Sequence, residues 1–156
     1  MHVPVASCRP AGLLTISPIV SLIHLHPYQM TYFNSFVGGL RGANGNYETD
    51  YWLTSYREAM EWINMQAAKA PERAYTVLIP GSPNTLETVR SFKASNIAVR
   101  AIRRGATNEP LPDDVDFFIA TSRNARDQQF SGSPIVHTVG RDGAVFSVVR
   151  AREVKR

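Results

Sequence analysis

Cysteine is almost absent. Cys8 is the only one in 156 residues, which excludes an internal disulfide and a thiolate metal cluster. The four histidines, His2, His24, His26 and His137, show none of the spacings of a metalloprotease or zinc finger, so neither a metal nor a cofactor is expected. A complete membrane helix is also missing, because a crossing needs about 20 apolar residues. Residues 13–25 are apolar but few, and Pro18 and His24 interrupt them. A secretory signal is disfavoured because no small-residue cleavage site follows before His26. The Gly-x-Gly-x-x-Gly and Gly-Lys-Ser/Thr phosphate loops, internal repeats and low-complexity tracts are all absent.

Charge is only mildly one-sided, with 17 basic against 13 acidic residues and a net charge of +4. Fourteen of the basic residues are arginine, which favours contacts to phosphate or carboxylate. Arg41, Arg57, Arg73, Arg90, Arg123 and Arg141 are scattered. The densest groups are Arg100, Arg103 and Arg104, and Arg150, Arg152, Lys155 and Arg156. With no recognisable module, nucleic acid is not an expected partner. The composition, 44% hydrophobic and 19% charged, is that of a folded globular chain of about one domain.

Residues 26–52 carry the strongest signal. His26, Pro27, Tyr28 and Gln29 are followed by Tyr32, Phe33 and Asn34. Next come Gly38, Gly39, Arg41, Gly42 and Ala43, and finally Tyr47, Glu48, Asp50, Tyr51 and Trp52. Rings, amides, carboxylates and glycines without helical or strand period mark a shape or a site. Aromatic rings after an apolar stretch suit either a membrane boundary or a core cluster under a long loop, and both stay open.

Beyond this block the periods become regular. Ser55 with Glu58 reads as a capping box, and Tyr56, Ala59, Met60, Ile63 and Ala67 form a core-facing stripe on a helix that stops before Pro71. Residues 75–79 read as a strand ended by turn chemistry at Pro80, Gly81, Ser82 and Pro83. Asn84 or Thr85 is expected to cap a second helix whose Leu86, Val89 and Phe92 face inward. Residues 97–102 and 115–120 read as strands, separated by a loop over 104–114. Asp142 and Gly143 predict a two-residue hairpin that pairs Val139 with Phe146, His137 with Val148, and Val136 with Val149. The fold expected is α/β, a small three-layer or two-layer sandwich with a βαβ unit, a mixed sheet and a C-terminal antiparallel hairpin.

The block at 26–52 resembles the junction in bacterial membrane glycosyltransferases of glycosyltransferase family 39, the protein-mannosyltransferase-like enzymes that use polyprenyl-phosphate sugars. There, segments of the form His-Pro-Tyr-Gln, Tyr-Phe-Asn, Gly-Gly, Gly-Ala, Tyr-Glu and Asp-Tyr-Trp follow the last membrane helix and lead into a soluble tail. The similarity extends to the helix start at Ser55, Tyr56, Arg57, Glu58 and Ala59 and to the final hairpin, covering roughly residues 18 to 150. It implies three regions: 1–25, a leader and apolar stub of a last membrane helix; 26–54, an aromatic and glycine-rich junction; and 55–156, a soluble α/β domain. The family's catalytic acidic residue lies among amino-terminal membrane helices, so no catalytic residue is expected here. Its implied partners are the transmembrane portion of the glycosyltransferase, the membrane surface on the extracytoplasmic face of the cytoplasmic membrane, and a polyprenyl-phosphate sugar. Candidate residues on the junction or substrate route are His26, Tyr28, Asn34, Gly38, Gly39, Arg41, Glu48, Asp50, Tyr51 and Trp52.

Other roles were weighed residue by residue. The loop at Gly81 joins a strand to a helix, where phosphates can bind, but Pro80 and Pro83 remove two N–H donors. It sustains an alternative function, a free-standing soluble module for a phosphorylated ligand. Glu48 and Asp50 supply the two carboxylates of a glycoside hydrolase, or they brace the backbone nearby or pair with Arg41. His26 has the imidazole of a general base but has no nucleophile beside it in sequence, His137 suits a cross-strand neighbour, and Trp62 suits packing beside the first helical stripe.

Overall fold

The computed structural model describes residues 9–102 and 108–153; Cys8, Arg103, Arg104, Lys155 and Arg156 lie outside the described residues, as do parts of the expected leader and of the 104–114 loop. In chain order the elements are α1 (Arg9–His24), α2 (Gly39–Ala43), α3 (Ser55–Ala67), β1 (Tyr75–Pro80), α4 (Pro83–Arg90), β2 (Ile97–Ile102), β3 (Phe117–Thr121), β4 (Ile135–Arg141) and β5 (Ala144–Ala151). Short 3₁₀ turns lie at Gln29–Thr31, Ser35–Val37 and Arg123–Gln128.

The fold is α/β, as the alternating pattern predicts. Five strands form one mixed sheet in the order β2-β1-β3-β5-β4. β1 is parallel to both β2 and β3, joined to β2 through α4, and the β4–β5 hairpin closes the far edge antiparallel. Val77, Leu78 and Ile79 of β1 are all buried, the mark of a strand covered on both faces. One face meets Met60 and Ile63 of α3 and Val89 of α4; the other meets Leu111, Val115 and Phe130 from irregular segments. Helices therefore cover one face and loops the other. Tyr28, Leu25 and Leu40 join the helical-side core, so part of the junction packs with the sheet.

Several local expectations change. Glu58 does not close a capping box on Ser55. Asp50, buried, caps α3 instead: its Oδ1 accepts from Thr54 N at 2.8 Å, and its Oδ2 accepts from Ser55 N at 3.0 Å and Ser55 Oγ at 2.6 Å. α4 begins earlier than expected, with Ser82 as N-cap and Pro83 in the first turn, where the missing N–H costs nothing. Asp142 and Gly143 form the expected turn, both at positive φ (50° and 79°), as an Asp-Gly hairpin requires. The register beyond it slips: Val139 faces Ser147 and His137 faces Val149, with irregularities between Val139 and Gly140 and between Ile135 and His137. Gly140 allows this, because a Cβ there would lie 2.1 Å from the Ala144 carbonyl oxygen; the bulge needs that close approach. His137 stacks on Trp62 at 4.9 Å, and Trp62 meets Phe117 edge-on at 6.1 Å.

Candidate functional site

The register of the sheet puts several features at one end. β1 and β3 run parallel, so Pro80 and Thr121 mark their carboxyl ends. Thr121 faces Ser147 in antiparallel β5, which places the start of β5 and the Asp142 turn at the same end. Helix α3 starts there too, because the Tyr56 hydroxyl donates to the Pro80 carbonyl at 3.5 Å. His24, at the end of α1, is tied to Asp142 at 3.0 Å. The junction, the α1 terminus and the strand carboxyl ends are thus gathered together.

Within the junction, the candidate residues divide by role. Tyr28 is a core residue. Its ring packs on Phe146 at 5.0 Å, Arg141 lies over it at 4.8 Å, and its hydroxyl donates to Glu58 Oε2 at 2.7 Å. Arg141 Nη2 donates to the same oxygen at 2.9 Å. Burial, then the bond to Glu58, pushes the Tyr28 phenol well above its ordinary range. For Glu58, partial burial acts upward, but the bonds from Arg141 and Tyr28 outweigh it and hold the carboxyl below the usual range. Burial likewise raises the Tyr56 phenol.

Asn34 caps a 3₁₀ turn by accepting from Phe36 N at 3.1 Å. Gly38 takes φ 80° to end that turn and open α2, and Gly39 also has positive φ. Gly42 is fixed by space, since a Cβ would lie 2.0 Å from the Val37 carbonyl oxygen. His26 is exposed, its Nδ1 2.8 Å from Gln29 Nε2, and Arg41 is exposed beside Gly143. Glu48 and Asp50 do not act as a pair: Asp50 caps α3, and Glu48 Oε2 lies 3.2 Å from Arg123 Nε. Among the described residues no group of three or more His, Cys, Asp or Glu is placed to hold a metal.

Tyr51 and Trp52 are exposed and meet edge to face at 5.2 Å, with the Arg123 guanidinium over the Tyr51 ring at 4.1 Å. They form the rim of a cavity of about 390 Å³ whose other walls come from Tyr56, Asn84, Thr85, Thr88 and Arg123. It lies where β1 leads toward β2 on one side while β3 lies on the other, the place where open α/β sheets leave a crevice. Leu53 in the wall and Asn124 and Ala125 just past Arg123 hold positive φ without being glycine, a strained backbone of the kind that gathers at functional sites. Sequence reasoning singled out Tyr51 and Trp52 and weighed the strand-to-helix loop that holds Asn84, but missed Arg123 and Thr88; the available signal was that the segment of Arg123, like that loop, leaves the carboxyl end of a strand. The Gly81 loop itself is closed. A Cβ on Gly81 would meet the Thr85 side chain at 2.8 Å, and Ser82 Oγ already accepts from Thr85 N at 3.3 Å.

The second feature is an uncovered apolar surface. On α1, Ile16, Ile19, Val20 and Ile23 recur at three and four residue steps, the spacing of a buried face, yet all are more than half exposed. Met30 and Phe36, the latter 97% exposed, are further uncovered apolar side chains in the segment that follows. Residues 10–40 contain no Asp, Glu, Lys or Arg. α1 has 16 residues, about 24 Å of rise against a hydrocarbon core of about 30 Å, and among the described residues no helix is long and apolar enough to cross a membrane.

Comparison with protein-family models, with curated proteins and with solved structures found no match.

Proposed function

We propose that this chain is a non-catalytic α/β domain seated on the extracytoplasmic face of the cytoplasmic membrane, against the membrane-embedded part of a glycosyltransferase that uses a polyprenyl-phosphate sugar. The enzyme class rests on the resemblance of residues 26–52. The membrane seat rests on the α1 stripe: four branched apolar side chains at core spacing, each more than half exposed among the described residues, in a stretch free of charge. A water-facing helix with that face would be a liability for a soluble protein. Exposed rings in the block that follows α1, Phe36 at 97% and Tyr47 at 56% exposure, are of the kind that suits the headgroup region.

Flotation of the full chain with phosphatidylethanolamine and phosphatidylglycerol vesicles tests the seat. Burying the exposed halves of four side chains, each contributing about 1 kcal/mol, gives about 4 kcal/mol, or roughly a thousandfold in partitioning. The chain should float, and a variant with Ile16, Ile19, Val20 and Ile23 changed to serine should stay in the aqueous fraction. Equal partitioning of the two rejects the seat, and sugar transfer by this chain alone from a polyprenyl-phosphate donor rejects the non-catalytic role.

A further inference from the structure

We propose that the cavity at the carboxyl ends of β1 and β3 is a binding pocket for a neutral carbohydrate, with one pyranose ring stacked on Trp52 and its hydroxyls held by Asn84, Thr88 and Arg123. The volume, about 390 Å³, falls in the range of about 300–1,000 Å³ typical of small-molecule sites. Its walls mix flat rings with the uncharged side chains of Asn84, Thr85 and Thr88 and the guanidinium of Arg123. A pyranose presents the matching pair, an apolar C–H face and a rim of hydroxyls.

Polar groups stand ready in the wall. Arg123 Nε is fully buried and makes no hydrogen bond of good geometry, although Glu48 Oε2 lies 3.2 Å away. The Asn84 side chain is exposed at the cavity wall, and Thr88 Oγ1 donates to the Asn84 carbonyl at 2.9 Å. A buried polar atom without a well-formed hydrogen bond is uncommon in folded proteins, and Arg123 Nε is one that belongs to the cavity wall.

An anion fits poorly. The one guanidinium in the wall is offset by Glu48 and stacked on Tyr51. The first turn of α4 has Pro83 without an N–H, Thr85 N bonded to Ser82 Oγ, and Leu86 N bonded to the Ser82 carbonyl at 3.0 Å. A purely apolar guest would strand the amide and hydroxyl groups. The pocket is separate from the α1 stripe, so its ligand can be tested apart from membrane binding.

The test is saturation-transfer NMR on the full chain in a zwitterionic detergent lacking a sugar headgroup. The probes are methyl glucopyranoside, methyl mannopyranoside and methyl galactopyranoside at about 10 mM, enough to occupy a site with a Kd of about 1 mM. The expected result is transfer to the ring C–H protons of at least one glycoside, weakened about tenfold or more by Trp52→Ala and by Asn84→Ala in variants with unchanged circular dichroism. Adenosine and inorganic phosphate are the controls. The proposal is overturned by no transfer to any glycoside from the folded chain, by undiminished transfer in both variants, or by binding of adenosine or phosphate without any glycoside.

Discussion

Replacing Asp50 with alanine should cost far more stability than replacing Glu48, although the two stand two residues apart beside the same rings. Asp50 is buried, and its carboxylate accepts three bonds, two from backbone N–H groups at the start of α3 and one from Ser55 Oγ. Loss of an N-cap costs about 0.5–2 kcal/mol, and stranding the buried Ser55 hydroxyl adds about 1–3 kcal/mol. The sum is about 1.5–5 kcal/mol. For a chain of this length about 1 kcal/mol moves Tm by roughly 2–4 °C, so Asp50→Ala should lower Tm by roughly 3–20 °C in a circular-dichroism melt. Asp50→Asn keeps one acceptor oxygen and should fall between. Glu48→Ala breaks a half-exposed contact with Arg123 and should cost no more than about 1 kcal/mol. Equal effects of the two substitutions, or a loss below about 1 kcal/mol for Asp50→Ala, would refute the assignment of Asp50 as a helix cap and reopen the two residues as a catalytic pair.

Glu58 has its folded pKa lowered from the ordinary 4.5, so its contribution is complete above that value and is lost as pH falls through the folded pKa; Glu58→Gln should flatten the acid limb of a stability–pH profile below about pH 4.5. Tyr28 and Tyr56 are raised from 10.0. Their neutral forms are favoured in the fold, so stability is complete below pH 10.0 and falls as pH climbs above it, by at most about 1.4 kcal/mol per pH unit for each phenol. Tyr28→Phe should reduce that alkaline slope in denaturant titrations, and an unchanged slope would contradict the buried phenol. Gly42→Ala, which would strengthen an ordinary helix by about 0.5–1 kcal/mol, should instead destabilise by about 1–3 kcal/mol, because the added methyl meets the Val37 carbonyl oxygen; a rise in Tm would show that the turn can yield.

What the sequence disclosed was periodic; what it withheld was decided by distant partners. The stripe from Tyr56 to Ala67, the apolar run of β1 and the Asp142 turn each follow from local pattern, and each stands where expected. Ser55 and Glu58 satisfied a capping rule, yet Glu58 turns to Tyr28 and to Arg141, 83 residues away, and Asp50 reaches the helix from outside the window that the rule inspects. Pro83 already marked a helix first turn, so Ser82 was legible as the cap. Gly140 hinted at the bulge that moved the hairpin register. Of the rings in the junction, Tyr28 went to the core while Tyr47, Tyr51 and Trp52 stayed exposed; no local pattern separates them, because Phe146 and Arg123, which receive Tyr28 and Tyr51, come from the far half of the chain. The cavity itself needs three separate segments and exists only after folding.

The seat at the membrane makes an orientation claim that spin labels read directly. In a Cys8→Ser background, nitroxides at Ile23→Cys on α1 and at Ser91→Cys, just past the end of α4 and away from the strand carboxyl ends, would be compared on vesicles for collision with oxygen and with a water-soluble nickel chelate. The label at position 23 should collide with oxygen and be shielded from nickel, while the label at position 91 stays open to nickel. Equal exposure of both labels to nickel on vesicles would contradict the account.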